Sequence, residues 1–249
     1  MRRVRAAVPR VEVHCRYDAR MTYLDLCERF IEREFPAAEI AVIGGSTARG
    51  DRTASSDIDL LVIGDALFPN GGTSLAATYR FEGEIFEVFA YTHDGYREWA
   101  RGGIDQHRPV IVHMLVEGEE VRGGQALTAL REEWGARLAD GPTMDEHELA
   151  LRRYMITDLL DDLRDATDEL ERNVIAWTLF SRVAELVLLT ERHWIGTGKY
   201  LPRRLRDLDP ARAERLAAPL LHGDLTAFAA RADEELARAG GRVQDGFVR

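Results

Sequence analysis

Cysteine is scarce in this chain of 249 residues: Cys15 and Cys27 are the only two. They form no metal-ligand spacing and no disulfide framework, so free thiols in a reducing compartment are expected. Basic charge is in deficit, with 33 Lys and Arg against 43 Asp and Glu and a formal charge of −10. A long nucleic-acid substrate calls for a broad basic surface, and this composition argues against one. An acidic surface suits a small cationic acceptor better. Arginines cluster only locally, at Arg2, Arg3, Arg5 and Arg10, read as a solvated terminus, and at Arg203, Arg204 and Arg206. Long apolar runs are also missing, since none reaches the ~18 residues of a membrane span. Met1-Arg2-Arg3-Val4-Arg5 lacks the apolar stretch of a secretory signal, so a cytoplasmic chain with no membrane partner is expected. Repeats and low-complexity tracts are absent. What remains is a globular composition, 45% apolar and 31% charged, with room for two domains.

The most informative stretch runs from Glu39 to Ile63. Glu39-Ile40-Ala41-Val42-Ile43 is a short apolar run that stops at glycines, which reads as a strand ending in a tight turn. Gly44 and Gly45 permit unusual backbone conformations and close ligand approach. Ser46 and Thr47 add hydroxyls, and Arg49 adds a cation suited to phosphate oxygens. Asp57-Ile58-Asp59 follows a polar turn containing Thr53, Ser55 and Ser56 and opens the run Leu60-Leu61-Val62-Ile63. Residues i and i+2 of a strand share a face, so Asp57 and Asp59 project together with Ile58 behind them. Two such carboxylates beside an apolar run repel each other unless a cation lies between them, and oxygen-only ligands suit Mg²⁺. A third acid is expected from the strand Arg80 to Tyr91. Glu87 is the choice there, being flanked by Phe86 and Val88, with Glu84 in reserve.

The pattern Gly-Gly-Ser-x-Ala-Arg-Gly, then Ser-Asp-Ile-Asp-Leu-Leu-Val, then an apolar-flanked Glu, resembles the DNA polymerase β-like nucleotidyltransferase superfamily over residues 39 to 91. Within it the chain looks most like the two-domain bacterial enzymes of the aminoglycoside and lincosamide, or kanamycin, type. The resemblance implies an α/β (α+β) fold: a small mixed sheet with helices on one side, followed by a C-terminal helical bundle. It also implies two Mg²⁺ held by Asp57, Asp59 and Glu87, and a triphosphate cradled at Gly45 and Ser46 near Arg49. ATP is the expected donor among NTPs, and a hydroxylated small molecule lodged between the domains is the expected acceptor. Kanamycin-type relatives imply a homodimer. Two other readings stay open: an antitoxin-like module acting on a protein partner, and an idle nucleotide sensor that binds triphosphate without releasing pyrophosphate.

Periodicity divides the chain into a nucleotidyltransferase domain at 1–140 and a helical domain at 144–249, with Gly141-Pro142-Thr143 as linker. In the first, helices are expected at Tyr23 to Phe35, Asp94 to Ala100 and Ala126 to Ala139, and a further strand at Pro109 to Val116. In the second, Glu146 to Ala166 carries an apolar stripe, and Asn173 to Thr190 is apolar nearly all round and should be the buried centre. Two final helices are expected, Pro202 to Leu208 and Arg212 to Gly240. The resemblance places a proton-accepting carboxylate on the first helix of this domain, where Asp158, Asp161 and Asp162 stand; Asp161 is the choice. Lys199, beside Gly196 and Gly198, is the candidate to reach the triphosphate. The histidines, His113 and His193 among them, show no ligand spacing and read as structural.

Overall fold

The computed structural model describes residues 15–53 and 56–248. The N-terminal arginine cluster, the Cys15 thiol and Ser55 lie outside the described structure. The chain divides into two compact units, one made of residues 1–99 and 111–135, the other of residues 100–110 and 136–249. Gly141-Pro142-Thr143 therefore lies inside the second unit.

The first unit holds a five-stranded mixed sheet of order β3-β4-β2-β1-β5, with β1 at Ile40–Ile43, β2 at Ile58–Ile63, β3 at Ser74–Phe81, β4 at Glu84–Tyr91 and β5 at Glu119–Arg122. Only β2 and β4 run parallel; the other neighbours are antiparallel. The segment from Arg80 to Tyr91 is not one strand. It reverses at Glu82 and Gly83, whose positive φ angles of 47° and 89° make the tight turn of a hairpin. Helix α1, Cys15–Glu34, covers one face of the sheet through Leu26, Cys27, Phe30 and Ile31, packed on Leu60, Val62, Phe86, Val88 and Ala90. The ring of Phe30 stacks on Phe86 with centroids 4.2 Å apart.

Helices flank the other face too, where a single helical layer was expected. There Tyr91 meets Tyr96 of α3, His93–Asp105, which in turn packs edge-on to Trp134 of α5, Gly124–Asp140. Between them the run read as a strand, Pro109 to Val116, is instead helix α4, Val110–Glu117. Its buried residues Ile111, Val112, Met114 and Leu115 recur at i, i+1, i+3 and i+4, while Val110 is exposed. That is helical phase, which a short β-branched run does not display plainly in sequence. His113 accordingly sits on a helix, paired with Glu117 at 2.6 Å, one turn on.

The second unit is helical. It contains α6 at Glu146–Asp165, α7 at Glu169–Thr190, α8 at Tyr200–Leu208, α9 at Pro210–Leu221 and α10 at Leu225–Arg238. The expected single helix from Arg212 to Gly240 is two, broken at Gly223, φ +74°, and restarted by Asp224, whose side chain accepts from the Ala227 N–H at 2.9 Å. Asp145, Asp168 and Asp209 cap α6, α7 and α9 in the same way. Helix α7 is the centre, with Leu179, Val183, Ala184, Leu186 and Leu188 at most 1% exposed against α6, α8, α9 and α10. It is long and apolar enough by composition to cross a membrane, but 56% of that window is buried inside the protein, so the bundle core accounts for its character.

Candidate functional site

Strand register sets two of the predicted carboxylates, Asp59 and Glu87, side by side. In the parallel pair, Asp59 of β2 stands directly opposite Glu87 of β4, and adjacent strands lie about 4.8 Å apart. Leu60, Val62, Phe86, Val88 and Ala90 face α1. Asp59 and Glu87, offset by one residue, therefore both point away from it. Asp57 precedes the first residue of β2 and is exposed, with the fully buried Ile58 between it and Asp59. Glu87 is also exposed. The argument that an apolar setting demands a ligand for Glu87 does not hold; its pairing with Asp59 is what places it.

The glycine turn meets the same point. After β1 the chain enters a short helix, α2, Gly45–Arg49, with Gly44 as its cap residue. The Gly44 N–H donates to the Asp59 carbonyl at 2.8 Å, tying the turn to β2. Gly45 has φ +60°, and a Cβ there would sit 1.7 Å from Asp59 Oδ2. A side chain there would have to displace the Asp59 carboxylate, so both the backbone and that contact favour glycine. Ser46 is half-buried on the first turn, and its carbonyl accepts from Asp51 N–H at 3.0 Å. Arg49 is exposed and held at 3.8 Å by Asp51.

Arg52, unremarked in the sequence, fixes the segment that delivers Asp57. Its guanidinium donates from Nε and Nη2 to the Ser56 carbonyl at 3.2 and 2.8 Å, reaches Glu84, and lies 4.7 Å above the Tyr23 ring. Glu84, the reserve third acid, is thus engaged with Arg52, and Glu82 pairs with Arg29 at 2.7 Å.

Asp161 and Lys199 belong to the helical unit. Asp161 is paired with Arg242 and accepts from Gln244 Nε2 at 2.9 Å, with Arg164 at 3.7 Å. The carboxylate is thus already occupied by donors from the C-terminal segment. Asp158 and Asp162 are exposed on the same helix. Lys199 is exposed at the start of α8, its Nζ 5.5 Å from the Tyr200 ring centroid.

A second cluster was missed. Glu39, Asp65 and His93 bring their side-chain oxygen and nitrogen atoms within 4.8 Å of one another. Glu39 lies just ahead of β1, Asp65 just beyond β2 and His93 just beyond β4 at the start of α3, on the order of 20 Å along β2 from Asp59. Asp65 accepts from His93 N–H at 3.0 Å, and Glu39 meets His93 Nε2 at 3.2 Å. Only the pairing of β1, β2 and β4 joins residues so far apart in sequence, so no spacing rule could have found them.

Residues 24–128 match the family model described as "Nucleotidyltransferase domain". Among solved structures the chain is similar to a nucleotidyltransferase-like protein from Exiguobacterium sibiricum 255-15, at 14% identity and a TM-score of 0.48, over 87% of this chain and 75% of that one. No curated protein matches it. The matched segment includes the glycine turn, Asp57, Asp59 and Glu87, and residues 24–128 thus carry a nucleotidyltransferase domain, followed by a helical region.

Proposed function

We propose that this protein transfers a nucleoside monophosphate, AMP from ATP, to a hydroxyl of a small molecule such as an aminoglycoside-like antibiotic, with release of pyrophosphate. The observation that carries the reading is the parallel register of Asp59 and Glu87, with Gly45 in close contact with the Asp59 carboxylate. A nucleotidyltransferase domain implies an NTP substrate and typically a divalent metal.

Three oxygen-only ligands on one face fit a hard cation such as Mg²⁺, and Asp57, Asp59 and Glu87 would hold it. When bound, the metal supplies charge neutralisation for the triphosphate and lowers the pKa of the attacking hydroxyl. The chain's own residues position the reactants. Gly45, lacking a Cβ, leaves the Asp59 carboxylate room against the turn. Ser46 offers its hydroxyl, and Arg49 is the cation for phosphate oxygens. The acceptor hydroxyl attacks the α-phosphorus in line, forming one P–O bond as the bond to the β-phosphate oxygen breaks, so that pyrophosphate carries away the electron pair. Asp161 would have to release Arg242 and Gln244 before taking the hydroxyl proton. A homodimer, as in kanamycin-type relatives, is part of the proposal.

The test is a pyrophosphate-release screen with each NTP, Mg²⁺ and panels of aminoglycosides, lincosamides and other hydroxylated compounds, with Asp59→Asn as control. Acceptor-dependent release that this variant lacks supports the reading. Triphosphate binding with no release across the panels replaces it with the nucleotide sensor, and absence of binding removes the donor site.

A further inference from the structure

The helical unit contains a cleft of about 460 Å³ lined by Arg108, Trp177, Thr178, Ser181, Arg182 and Glu185, a volume in the range of small-molecule sites. Five of these residues lie on α7, and Arg108 comes from the segment ahead of α4. At its base Glu185 is only 7% exposed in its side chain. A carboxylate is kept at such depth by cations. Arg108 holds Oε1, while Arg182 at 3.3 Å and Arg152 at 3.5 Å approach Oε2. Three guanidiniums therefore share one carboxylate here, and among the described residues only Arg152 has a further acid, Glu148 at 2.8 Å.

The surplus faces the cleft. Each guanidinium carries five N–H donors. The Nε of Arg108 is buried with no hydrogen-bond partner among the described residues. The hydroxyls of Thr178 and Ser181 donate to the Val174 and Trp177 carbonyls at 2.8 and 3.1 Å, so they offer the cleft no donor that competes with the arginines. Trp177 supplies the remaining wall: the residue is 49% exposed and its ring is set edge-on against Phe180 at 6.0 Å. A flat ring beside unspent guanidinium donors is the pairing that recognises an aromatic anion. In a chain of formal charge −10, an excess of cation at one concave point is not the average character of the surface.

We propose that this cleft binds a small flat-ringed anion, its ring on Trp177 and its carboxylate or phosphate on Arg108 and Arg182. The site is independent of the transferase reading.

The probes are benzoate, phenyl phosphate, benzamide and inorganic phosphate, titrated into the full chain. The signal of the Trp177 indole N–H is followed by NMR, with affinity from calorimetry. At least one ring anion should shift that signal to saturation; which one distinguishes carboxylate from phosphate. Benzamide and inorganic phosphate should bind about tenfold more weakly or worse, because each keeps only half of the recognition. Arg182→Gln, which leaves Arg108 and Arg152 on Glu185, and Trp177→Ala at an exposed position should each weaken binding of the preferred probe about tenfold while melting near wild type. Absence of saturation by either ring anion would overturn the proposal. So would benzamide binding as well as benzoate, or both variants binding like wild type.

Discussion

Replacing Gly45 with alanine tests the geometry of the candidate site at its tightest point. The new Cβ would lie 1.7 Å from Asp59 Oδ2 and 2.7 Å from Asp59 Cγ, where ordinary contact begins at 3.4 Å. Either the carboxylate or α2 must therefore retreat by about 1.7 Å, and misplacement of about 1 Å is enough to cost roughly 10²-fold in a positioned reaction. The backbone adds its own cost, since φ +60° is disfavoured for alanine by about 1–2 kcal/mol. Pushing the half-buried Asp59 off its rotamer adds about 0.5–1.5 kcal/mol. Gly50 separates the two effects: its φ is +75°, yet a Cβ there meets nothing within 4 Å. Gly50→Ala should lose about 1–2 kcal/mol of stability and keep wild-type affinity for ATP with Mg²⁺. Gly45→Ala should lose somewhat more stability, bind ATP with Mg²⁺ more weakly than Gly50→Ala, and lose roughly 10²-fold in pyrophosphate release. Calorimetric titration and denaturant melts on the two variants provide the comparison. Equal affinity in both would refute the claim that contact between Gly45 and Asp59 shapes the binding site.

Further outcomes follow from other parts of the molecule. Asp59→Asn should abolish pyrophosphate release while melting no lower than wild type, because it relieves carboxylate repulsion in the metal-free protein; a marked fall in Tm would make Asp59 structural. Asp161→Asn should change kcat less than about tenfold, well short of the 10²–10⁴ that a general base supplies, since Arg242 and Gln244 already occupy the carboxylate; a larger loss measured in the release assay would restore Asp161 as the base. Burial works to raise the Glu148 pKa, but hydrogen bonds from Arg152 and His107 outweigh it and hold the group below its ordinary 4.5. Its contribution to stability is therefore complete above that value and lost as pH falls through the depressed one, so Glu148→Gln should flatten the fall in denaturation midpoint between about pH 5 and pH 3; an unchanged slope would count against it. Burial, then the nearby Glu119 charge, pushes the Cys27 thiol up to about 12; peptide mapping after iodoacetamide at about pH 8 should find Cys27 unmodified in the native protein and alkylated after unfolding.

The elements legible in the sequence were those whose signal is local. Asp57 stands just ahead of β2 and Asp59 within it, two residues apart around the buried Ile58, and the glycines after β1 announce a turn, so both were visible. The sign of the helical second half was equally plain from the stripe on α6 and the apolar α7. Residues whose meaning depends on pairing were not. Glu87 was chosen for an apolar setting it does not have, and it is the register with Asp59 that gives it a place. Glu39, Asp65 and His93 meet through three strand ends. In α4, Val110-Ile111-Val112 carries β propensity that tertiary burial overrides. Two misreadings were avoidable in principle: Glu82-Gly83 is a hairpin signal, and Gly223-Asp224 is a stop followed by a cap.

The parallel pairing of β2 with β4 also bears on how errors in folding would be caught. A slip of one residue between these strands would set Phe86 or Val88 opposite Asp59 and turn Glu87 towards Phe30 and Ile31 of α1. The misregistered sheet would bury a carboxylate and expose aromatic rings, a double cost that the correct register avoids. The apolar face thereby proofreads the polar one: a chain that has packed Phe86 against Phe30 has, by the same event, set Glu87 beside Asp59.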